Sequence, residues 1–162
     1  MNSQPAASCS HKSPSATRVH DQLTIANIAH VRQCSLNCDR VITVCQEPVS
    51  DNVSCAYEFY NLSDGDDNYG GECSYELFEK AADSLVDALQ RSEDVVIHCH
   101  RGKSRSASVA IAAMAVRYNT FWHYARDAIE RQRPEIDPNE TLVRFGKRFV
   151  DKHADLVHVP LR

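Results

Sequence analysis

The chain has 162 residues, 43% of them hydrophobic and 25% charged, and its formal net charge at pH 7 is -4. This length suits one domain that buries a core without disulfide or metal support, and the negative charge argues against a general nucleic-acid binder. No apolar run is long enough to span a membrane, and the first residues lack the apolar segment of a signal peptide. We therefore expect a cytoplasmic protein, with nuclear access possible, that is not stably inserted in a membrane.

The sequence contains seven cysteines, an odd number. Their spacing provides no paired motif for a structural zinc site. Cytosolic cysteines are normally reduced, and most reduced cysteines behave as small core residues. We expect free thiols and no structural metal.

The ends of the chain differ from its middle. Residues 1–17 are rich in Ser, Ala and Pro without periodicity, which predicts a disordered tail. Patterned sequence over 18–155 predicts a single structured domain, and 156–162 is interpreted as a C-terminal tail. The composition shows no internal repeat and no second domain.

Three strands are predicted in the first half of the domain. Leu23, Ile25 and Ile28 indicate an early strand followed by a turn. The apolar run Asp39 to Cys45 predicts a buried strand that ends before Pro48. Alternating residues from Val53 to Phe59 predict a third strand.

Helices dominate the second half. Ser74 is a predicted N-cap for a helix from Tyr75 to Arg91, and Val95 to His98 reads as another buried strand. Helical patterns follow at about 104–118, 121–132 and 139–152. Strands mixed with helices, and then helices alone, predict an α/β fold with a central mixed or parallel sheet flanked by helices.

The run HCHRGKSRSAS, residues 98–108, carries the chemistry of the chain. It follows the buried strand and precedes an alanine-rich helical pattern, so its backbone amides and the helix N-terminus can converge on an anion. Arg105 can bind a phosphate with two nitrogens, and the same positive field lowers the pKa of the Cys99 thiol. Together these features predict a phosphate-binding loop with a thiolate nucleophile at its base.

Other interpretations fit this run less well. A nucleotide P-loop would need glycine where Ile97 stands. A metal site at His98, Cys99 and His100 is disfavoured because adjacent residues of a strand point to opposite faces. A purely structural cysteine would leave Arg105 and the neighbouring glycine and hydroxyls unexplained.

HCHRGKSRS resembles the signature HCxxGxxR[ST] of the cysteine-dependent protein tyrosine phosphatase superfamily, and in particular its small, atypical dual-specificity branch. The resemblance covers most of residues 18–152. The segment Phe78–Asp83 is similar to the helix before the catalytic strand of this family. The segment Arg133–Asn139 is similar to its RPxIxPN motif, which is more specific to the branch than the loop.

The resemblance implies a role for each residue of the loop. Cys99 would attack phosphorus and form a phosphocysteine, and the Ser106 hydroxyl would assist the sulfur as leaving group. His98 would support the loop and the pKa of Cys99, unless it is an ordinary packed histidine. The phosphoryl oxygens would be bound by His100, Arg101, Gly102, Lys103, Ser104 and Arg105. No metal or other cofactor is implied.

A general acid must protonate the leaving group from a separate loop. In the family it follows closely after the preceding strand, which favours Asp64. The loop after Asp64 is a few residues longer than in common members of the family. Asp66 and Asp67 therefore remain alternatives, although both can equally be solvated loop residues.

The implied function is hydrolysis of phosphotyrosine and phosphoserine or phosphothreonine in proteins. The basic residues His100, Arg101 and Lys103 suit a phosphoinositide or inositol polyphosphate as the alternative substrate, or simply form a solvated rim. The RPxIxPN-like segment favours phosphoproteins. A binding module that captures phosphorylated partners without turnover is a third possibility.

Cys45 ends the predicted buried strand, in a position that resembles the resolving cysteine of some relatives. The resemblance implies a reversible disulfide between Cys45 and Cys99 under oxidation. The alternative is that Cys45 only fills space in the core.

Overall fold

Four consecutive buried residues, Val95–His98, form the central strand of the protein. The computed structural model describes residues 13–65 and 73–154. The strands are β1 (Ala16–His20), β2 (Leu23–Ala26), β3 (Arg40–Thr43), β4 (Ala56–Phe59) and β5 (Val95–His98). The α-helices are α1 (Ile28–Gln33), α2 (Tyr75–Gln90), α3 (Arg105–Arg117), α4 (Trp122–Gln132) and α5 (Glu140–Lys152).

The five strands form one mixed sheet in the order β1-β2-β5-β3-β4. β5 runs parallel to both of its neighbours, and its last residue, His98, pairs with Ala26 of β2 and Thr43 of β3. Only β1 is antiparallel among these strands, where it pairs with β2. The carboxyl ends of four parallel strands therefore meet at one edge of the sheet, the edge at which α/β proteins bind ligands.

Helices cover both faces of the sheet. Ile97 belongs to the larger hydrophobic cluster, which includes α2, α3 and α5, whereas Val96 belongs to a smaller cluster with Val31 of α1. α3 is buried from Arg105 to Ala115, because its alanines allow neighbouring helices to approach closely. The predicted α/β architecture with a flanked mixed sheet is confirmed.

Most of the predicted elements are present. β5 has the predicted bounds, and α2, α3, α4 and α5 begin and end within a residue or two of their predictions. Ser74 caps α2 as expected, because its hydroxyl accepts a hydrogen bond of 3.1 Å from the Leu77 amide. Two short elements, β1 and α1, were not predicted.

The unpredicted elements correct the sequence analysis at two points. β1 begins at Ala16, so the last two residues of the predicted tail belong to the sheet. Ile28 begins α1 instead of ending a strand, because Asn27 accepts a hydrogen bond from the His30 amide at 2.9 Å and caps the helix. Six residues are too few for helical periodicity to show in a sequence.

The remaining predictions about the chain ends lie outside the described residues. These are most of the tail at 1–17 and the tail at 156–162, so the division into domains stays a prediction. Within the described residues, no helix combines the length and the apolar character needed to cross a membrane.

Candidate active site

The loop between β5 and α3 lies at the sheet edge where the parallel strands end. Gly102 has a positive φ of 71°, and a Cβ at this position would lie 2.8 Å from the Ala26 carbonyl oxygen. A side chain here would therefore be strained by the backbone and by the neighbouring strand. Glycine allows the loop to turn tightly before α3 begins at Arg105.

The Cys99 thiol lies at the bottom of this loop, with only 2% of the residue exposed. Its Sγ lies 3.2 Å from the Ser106 Oγ and accepts a hydrogen bond of 3.3 Å from the Gly102 amide. Burial by itself would raise the pKa of this thiol. The positive charge of Arg105 and the donors of Ser106 and Gly102 outweigh that effect, so the pKa lies below its ordinary value.

Arg105 is 8% exposed and lines the same cavity as Cys99. One terminal nitrogen, Nη1, donates to the Gln46 Oε1 at 2.8 Å and to the Leu62 carbonyl at 3.4 Å. Its Nε is buried without a hydrogen-bond partner among the described residues. The guanidinium therefore keeps hydrogen-bonding capacity beyond its contacts with Gln46 and Leu62, as the binding of an anion requires.

Gln46 was missed by the sequence analysis, although a signal was present. It follows β3 by three residues, and β3 ends beside β5 at the ligand-binding edge of the sheet. Its side-chain oxygen accepts a hydrogen bond from the Arg105 guanidinium. Polar residues just beyond β3 were therefore candidates for the site.

Asp64, which the sequence analysis favoured as proton donor, is among the residues that the structure describes. Its Oδ1 accepts a hydrogen bond of 2.5 Å from the Ser104 hydroxyl, and it lines the cavity with Cys99. The Ser104 oxygen in turn accepts a hydrogen bond of 2.9 Å from the Asn139 amide. The alternatives Asp66 and Asp67 lie outside the described residues.

His98 is fully buried and is not part of the cavity lining. Its Nδ1 lies 3.1 Å from the Cys99 carbonyl oxygen, which can only accept, so Nδ1 carries the proton. Its Nε2 then accepts from the Thr43 hydroxyl at 2.7 Å, and the Tyr57 hydroxyl donates to Thr43 at 3.0 Å. Burial lowers the pKa of His98 to about 4, which keeps the imidazole neutral.

Arg133 supports the loop from beneath. The residue is only 1% exposed, and its Nε donates to the Gly102 carbonyl at 2.9 Å while Nη1 donates to the Thr17 Oγ1 at 2.8 Å. These bonds turn a loop carbonyl toward the guanidinium. Carbonyls held in this way leave the loop amides free to face an anion. The RPxIxPN-like segment that Arg133 begins is thus a physical support of the loop.

The loop opens into a cavity of about 710 Å³. Seven of the residues predicted for the site line it: Asp64, Cys99, His100, Arg101, Lys103, Ser104 and Arg105. Gly102 and Ser106 are buried behind the loop, where both contact the Cys99 sulfur. Three lining residues were not predicted: Gln46, Glu47 and Asp137.

The described residues contain no cluster of three or more histidine, cysteine or acidic side chains that could hold a metal ion. His98 and Cys99 are adjacent in the chain, but the imidazole is engaged by Thr43 and the thiol by Ser106. These side chains therefore have separate partners. The alternative metal interpretation of the loop has no support in this geometry.

Comparison with known proteins identifies the class to which this fold and site belong. The family model for the dual specificity phosphatase catalytic domain matches residues 12–146. The chain therefore belongs to the family of dual specificity phosphatase catalytic domains. The dual specificity protein phosphatase MPK-4 of Drosophila melanogaster is 34% identical over 71 residues, which are 44% of this chain and 18% of that protein.

The first curated relatives are much longer than the matched region, which spans 18%, 29% and 34% of their lengths. Solved structures share the fold over nearly their whole length. Human DUSP28 superposes with a TM-score of 0.69 at 16% identity, covering 87% of this chain and 96% of that one. A structure of PTPMT1 in complex with PI(5)P has a TM-score of 0.69 at 18% identity, covering 85% and 95%.

Proposed function

We propose that this protein is a cysteine-dependent phosphatase that hydrolyses phosphate monoesters on protein side chains through a phosphocysteine intermediate. The observation that carries the proposal is a single cavity lined by three side chains: the buried Cys99 thiol with its lowered pKa, the buried Arg105 guanidinium and the Asp64 carboxylate. Thiolate, anion-binding donor and acid are the parts that phosphoryl transfer through cysteine requires.

In the first step the Cys99 thiolate attacks phosphorus in line with the leaving oxygen. The amides of the loop and the guanidinium of Arg105 bind the equatorial oxygens, on which charge accumulates in the transition state. Gln46 accepts a hydrogen bond of 2.8 Å from that guanidinium and so fixes its orientation in the site. The sulfur–phosphorus bond forms as the phosphorus–oxygen bond breaks.

Asp64 acts as the acid in this step. It donates a proton to the leaving oxygen, so that an alcohol or phenol departs in place of its anion. In the second step the same carboxylate takes a proton from water, which attacks the phosphocysteine and releases inorganic phosphate. The Ser106 hydroxyl, 3.2 Å from Sγ, stabilises the thiolate that leaves.

The substrates that we propose are phosphotyrosine and phosphoserine or phosphothreonine in proteins. Family membership and the RPxIxPN-like segment at 133–139 support a protein phosphatase. A phosphoinositide or inositol phosphate is the second candidate, favoured by the cationic residues Arg101 and Lys103 on the cavity lining and by the likeness in fold to PTPMT1. A cytoplasmic location remains a prediction.

Hydrolysis of an aryl phosphate is the direct test. Wild-type protein should release phosphate, and Cys99→Ser and Arg105→Ala should each remove activity to background. Rapid acid quenching should show one phosphoryl group on the peptide that contains Cys99. Turnover that survives Cys99→Ser would contradict the mechanism, and absence of turnover with intact phosphopeptide binding would favour a binding module.

A further inference from the structure

The cavity around Cys99 carries negative as well as positive side chains. The cationic residues Arg101, Lys103 and Arg105 line it together with the carboxylates of Glu47, Asp64 and Asp137. These formal charges cancel before the thiolate is counted. Carboxylates beside an anion-binding site repel every phosphate, and only a phosphate at the centre of the site has the loop amides and Arg105 to offset that repulsion. The carboxylates therefore restrict which charged groups a substrate can carry next to its phosphate.

The position of the bound phosphate is marked independently of these carboxylates. Arg105 is more than nine-tenths buried, it lines the cavity, and its Nε has no partner among the described residues. Cys99 lies at the same depth, whereas Asp137 is an exposed residue. The phosphate thus belongs at the bottom of the cavity, and the exposed carboxylate lies at its mouth, where the groups flanking a phosphorylated side chain would pass.

Glu47 lies just beyond the end of β3. Its side chain is 43% exposed, and its carboxylate oxygens are 3.8 Å from the His100 Nε2 and 3.7 Å from the Arg32 Nη2. Contacts of this length on an exposed side chain are weak and well hydrated, and the contact with His100 is an ion pair only when that imidazole is protonated. The Glu47 carboxylate can therefore still pair with a cationic group of a substrate that enters through the mouth of the cavity.

Asp137 reaches the mouth from the segment before α5. Its backbone amide donates to the Lys103 carbonyl at 2.8 Å, which anchors it against the phosphate-binding loop. Its carboxylate makes no ion pair with any residue of the described parts of the chain. Asp64 differs from both Glu47 and Asp137, because the Ser104 hydroxyl holds its carboxylate within the site.

We propose that the site selects a singly phosphorylated side chain in a protein segment with a basic residue next to it, and that Glu47 and Asp137 contact that basic residue. This inference rests on the proposed phosphatase function and names its substrate class. A polyphosphorylated headgroup would bring further negative charge against both carboxylates. An arginine or lysine beside the phosphorylated residue would instead complement them.

Binding and turnover of matched phosphopeptides test this preference. The peptides share one phosphotyrosine and differ only in having Arg, Ala or Glu on both sides of it. Affinity is measured with the Cys99→Ser protein by fluorescence anisotropy, and kcat/KM with the wild-type protein. We expect the Arg peptide to exceed the Glu peptide about tenfold in both, since two exposed ion pairs contribute about threefold each. High salt should reduce this ratio.

The variants Glu47→Gln and Asp137→Asn, each combined with Cys99→Ser for binding, should each lower the Arg-to-Glu affinity ratio about threefold. Asp127→Asn, an exposed carboxylate on α4 outside the cavity lining, is the matched control and should leave the ratio unchanged. A ratio near one in the wild-type protein, or a ratio insensitive to both variants, would overturn the proposal.

Displacement of the bound Arg peptide by inositol hexakisphosphate distinguishes a phosphoprotein substrate from a polyphosphorylated one. If it displaces the Arg peptide at concentrations below the Kd of that peptide, the site favours polyphosphates and the proposal is wrong. We expect much weaker displacement. Affinity is measured without turnover, so the two proposals can fail separately. An inactive wild-type protein would contradict the proposed function. The preference for basic residues beside the phosphotyrosine would still be decided by the binding measurements.

Discussion

The Ser104 hydroxyl donates a 2.5 Å hydrogen bond to the Asp64 carboxylate and accepts one of 2.9 Å from the Asn139 amide. One side chain of the phosphate-binding loop therefore connects the loop to the proposed acid and to the end of the RPxIxPN-like segment. Gly65 reinforces this arrangement, since its φ of 88° and the Asn139 side chain leave no space for a Cβ. The position of the acid depends on all three segments.

We expect Ser104→Ala to impair proton donation more than phosphate binding. Without the hydroxyl the Asp64 carboxylate loses the hydrogen bond from Ser104, and misplacing a catalytic group by about 1 Å can cost up to about 100-fold in rate. kcat should fall roughly tenfold or more for alkyl phosphates and much less for aryl phosphates, whose leaving groups need little protonation. The measurement is kcat, together with kcat/KM, across a series of leaving groups of increasing pKa.

Ser104→Thr is the conservative control because it keeps a hydroxyl at the same position. It should restore most of the activity toward alkyl phosphates. Equal losses for every leaving group in Ser104→Ala would show that the residue acts on the loop alone and not through Asp64.

Ser106 and Cys99 provide a second prediction. The pKa of the thiol lies below 9.0, its ordinary value, so the thiolate persists at a lower pH than that of an unperturbed cysteine. Ser106→Ala removes a donor to the thiolate and should move the midpoint of iodoacetamide alkylation at Cys99 to higher pH. Breakdown of the phosphocysteine should slow about tenfold, the effect of losing about 1.5 kcal/mol of hydrogen bonding to a charged sulfur.

Pre-steady-state kinetics distinguish this effect from general damage. The variant should show a burst of phenol release followed by a slow steady state, with phosphocysteine accumulating. Ser84→Ala serves as a control that should alter neither the burst nor the alkylation midpoint, because the Ser84 hydroxyl lies on α2 and donates to Glu58 of β4. An unchanged alkylation midpoint in Ser106→Ala would refute the assigned contact.

His98 makes stability depend on pH. Burial lowers its pKa to about 4 from 6.5, so between these values the unfolded chain binds a proton that the folded protein does not. The stability that the neutral imidazole contributes is present above pH 6.5 and is lost as the pH falls toward 4. We expect the free energy of unfolding to fall by about 2 kcal/mol between pH 7 and pH 5 on account of His98.

Urea unfolding at both pH values measures this effect, with His98→Asn as the comparison. The pKa of His30 is also lowered by burial, so the wild-type protein and the variant share part of the pH dependence. The difference between them isolates His98. Equal pH dependence in the two proteins would mean that the imidazole is not held neutral by the fold.

The main features of the site could be predicted because they are local in sequence. Cys99, Gly102 and Arg105 lie within seven consecutive residues, and the strand before them and the helix after them have clear apolar patterns. The same holds for Ser74, whose capping role depends only on the three residues that follow it. Local signals of this kind do not require knowledge of the tertiary structure.

The missed features depend on contacts between distant segments. Gln46 meets Arg105 across 59 positions, and Asp137 reaches the cavity only because Arg133 and the segment after it fold back on the loop. Glu47 follows β3 as Gln46 does, but its position after a strand does not show that it faces the cations of the loop, so the sequence analysis considered those cations without Glu47 and Asp137. Parallel strand ends gather residues from separate segments, and a single sequence does not show this convergence.

Cys45 carries the last prediction, a reversible disulfide with Cys99. The Cys45 thiol is buried, and burial together with the nearby negative charge of Cys99 raises its pKa to about 11, with opposing effects from Glu47 and Arg105. Hydrogen peroxide should oxidise the Cys99 thiolate first, giving a sulfenic acid and hydroxide. The Cys45 sulfur then attacks the sulfenic sulfur, forms the S–S bond and expels water after losing its own proton.

Mass mapping after mild peroxide treatment should find Cys45 linked to Cys99, and a thiol reductant should restore activity. The sulfur atoms of Cys38 and Cys55 lie 3.7 Å apart, so digestion must yield separate peptides for the two pairs. Cys45→Ser should lose the crosslink and should be inactivated irreversibly at a rate several-fold faster, because the sulfenic acid then oxidises further. Sulfinic acid on Cys99 of the wild-type protein, with no crosslink to Cys45, would show that Cys45 only fills space in the core.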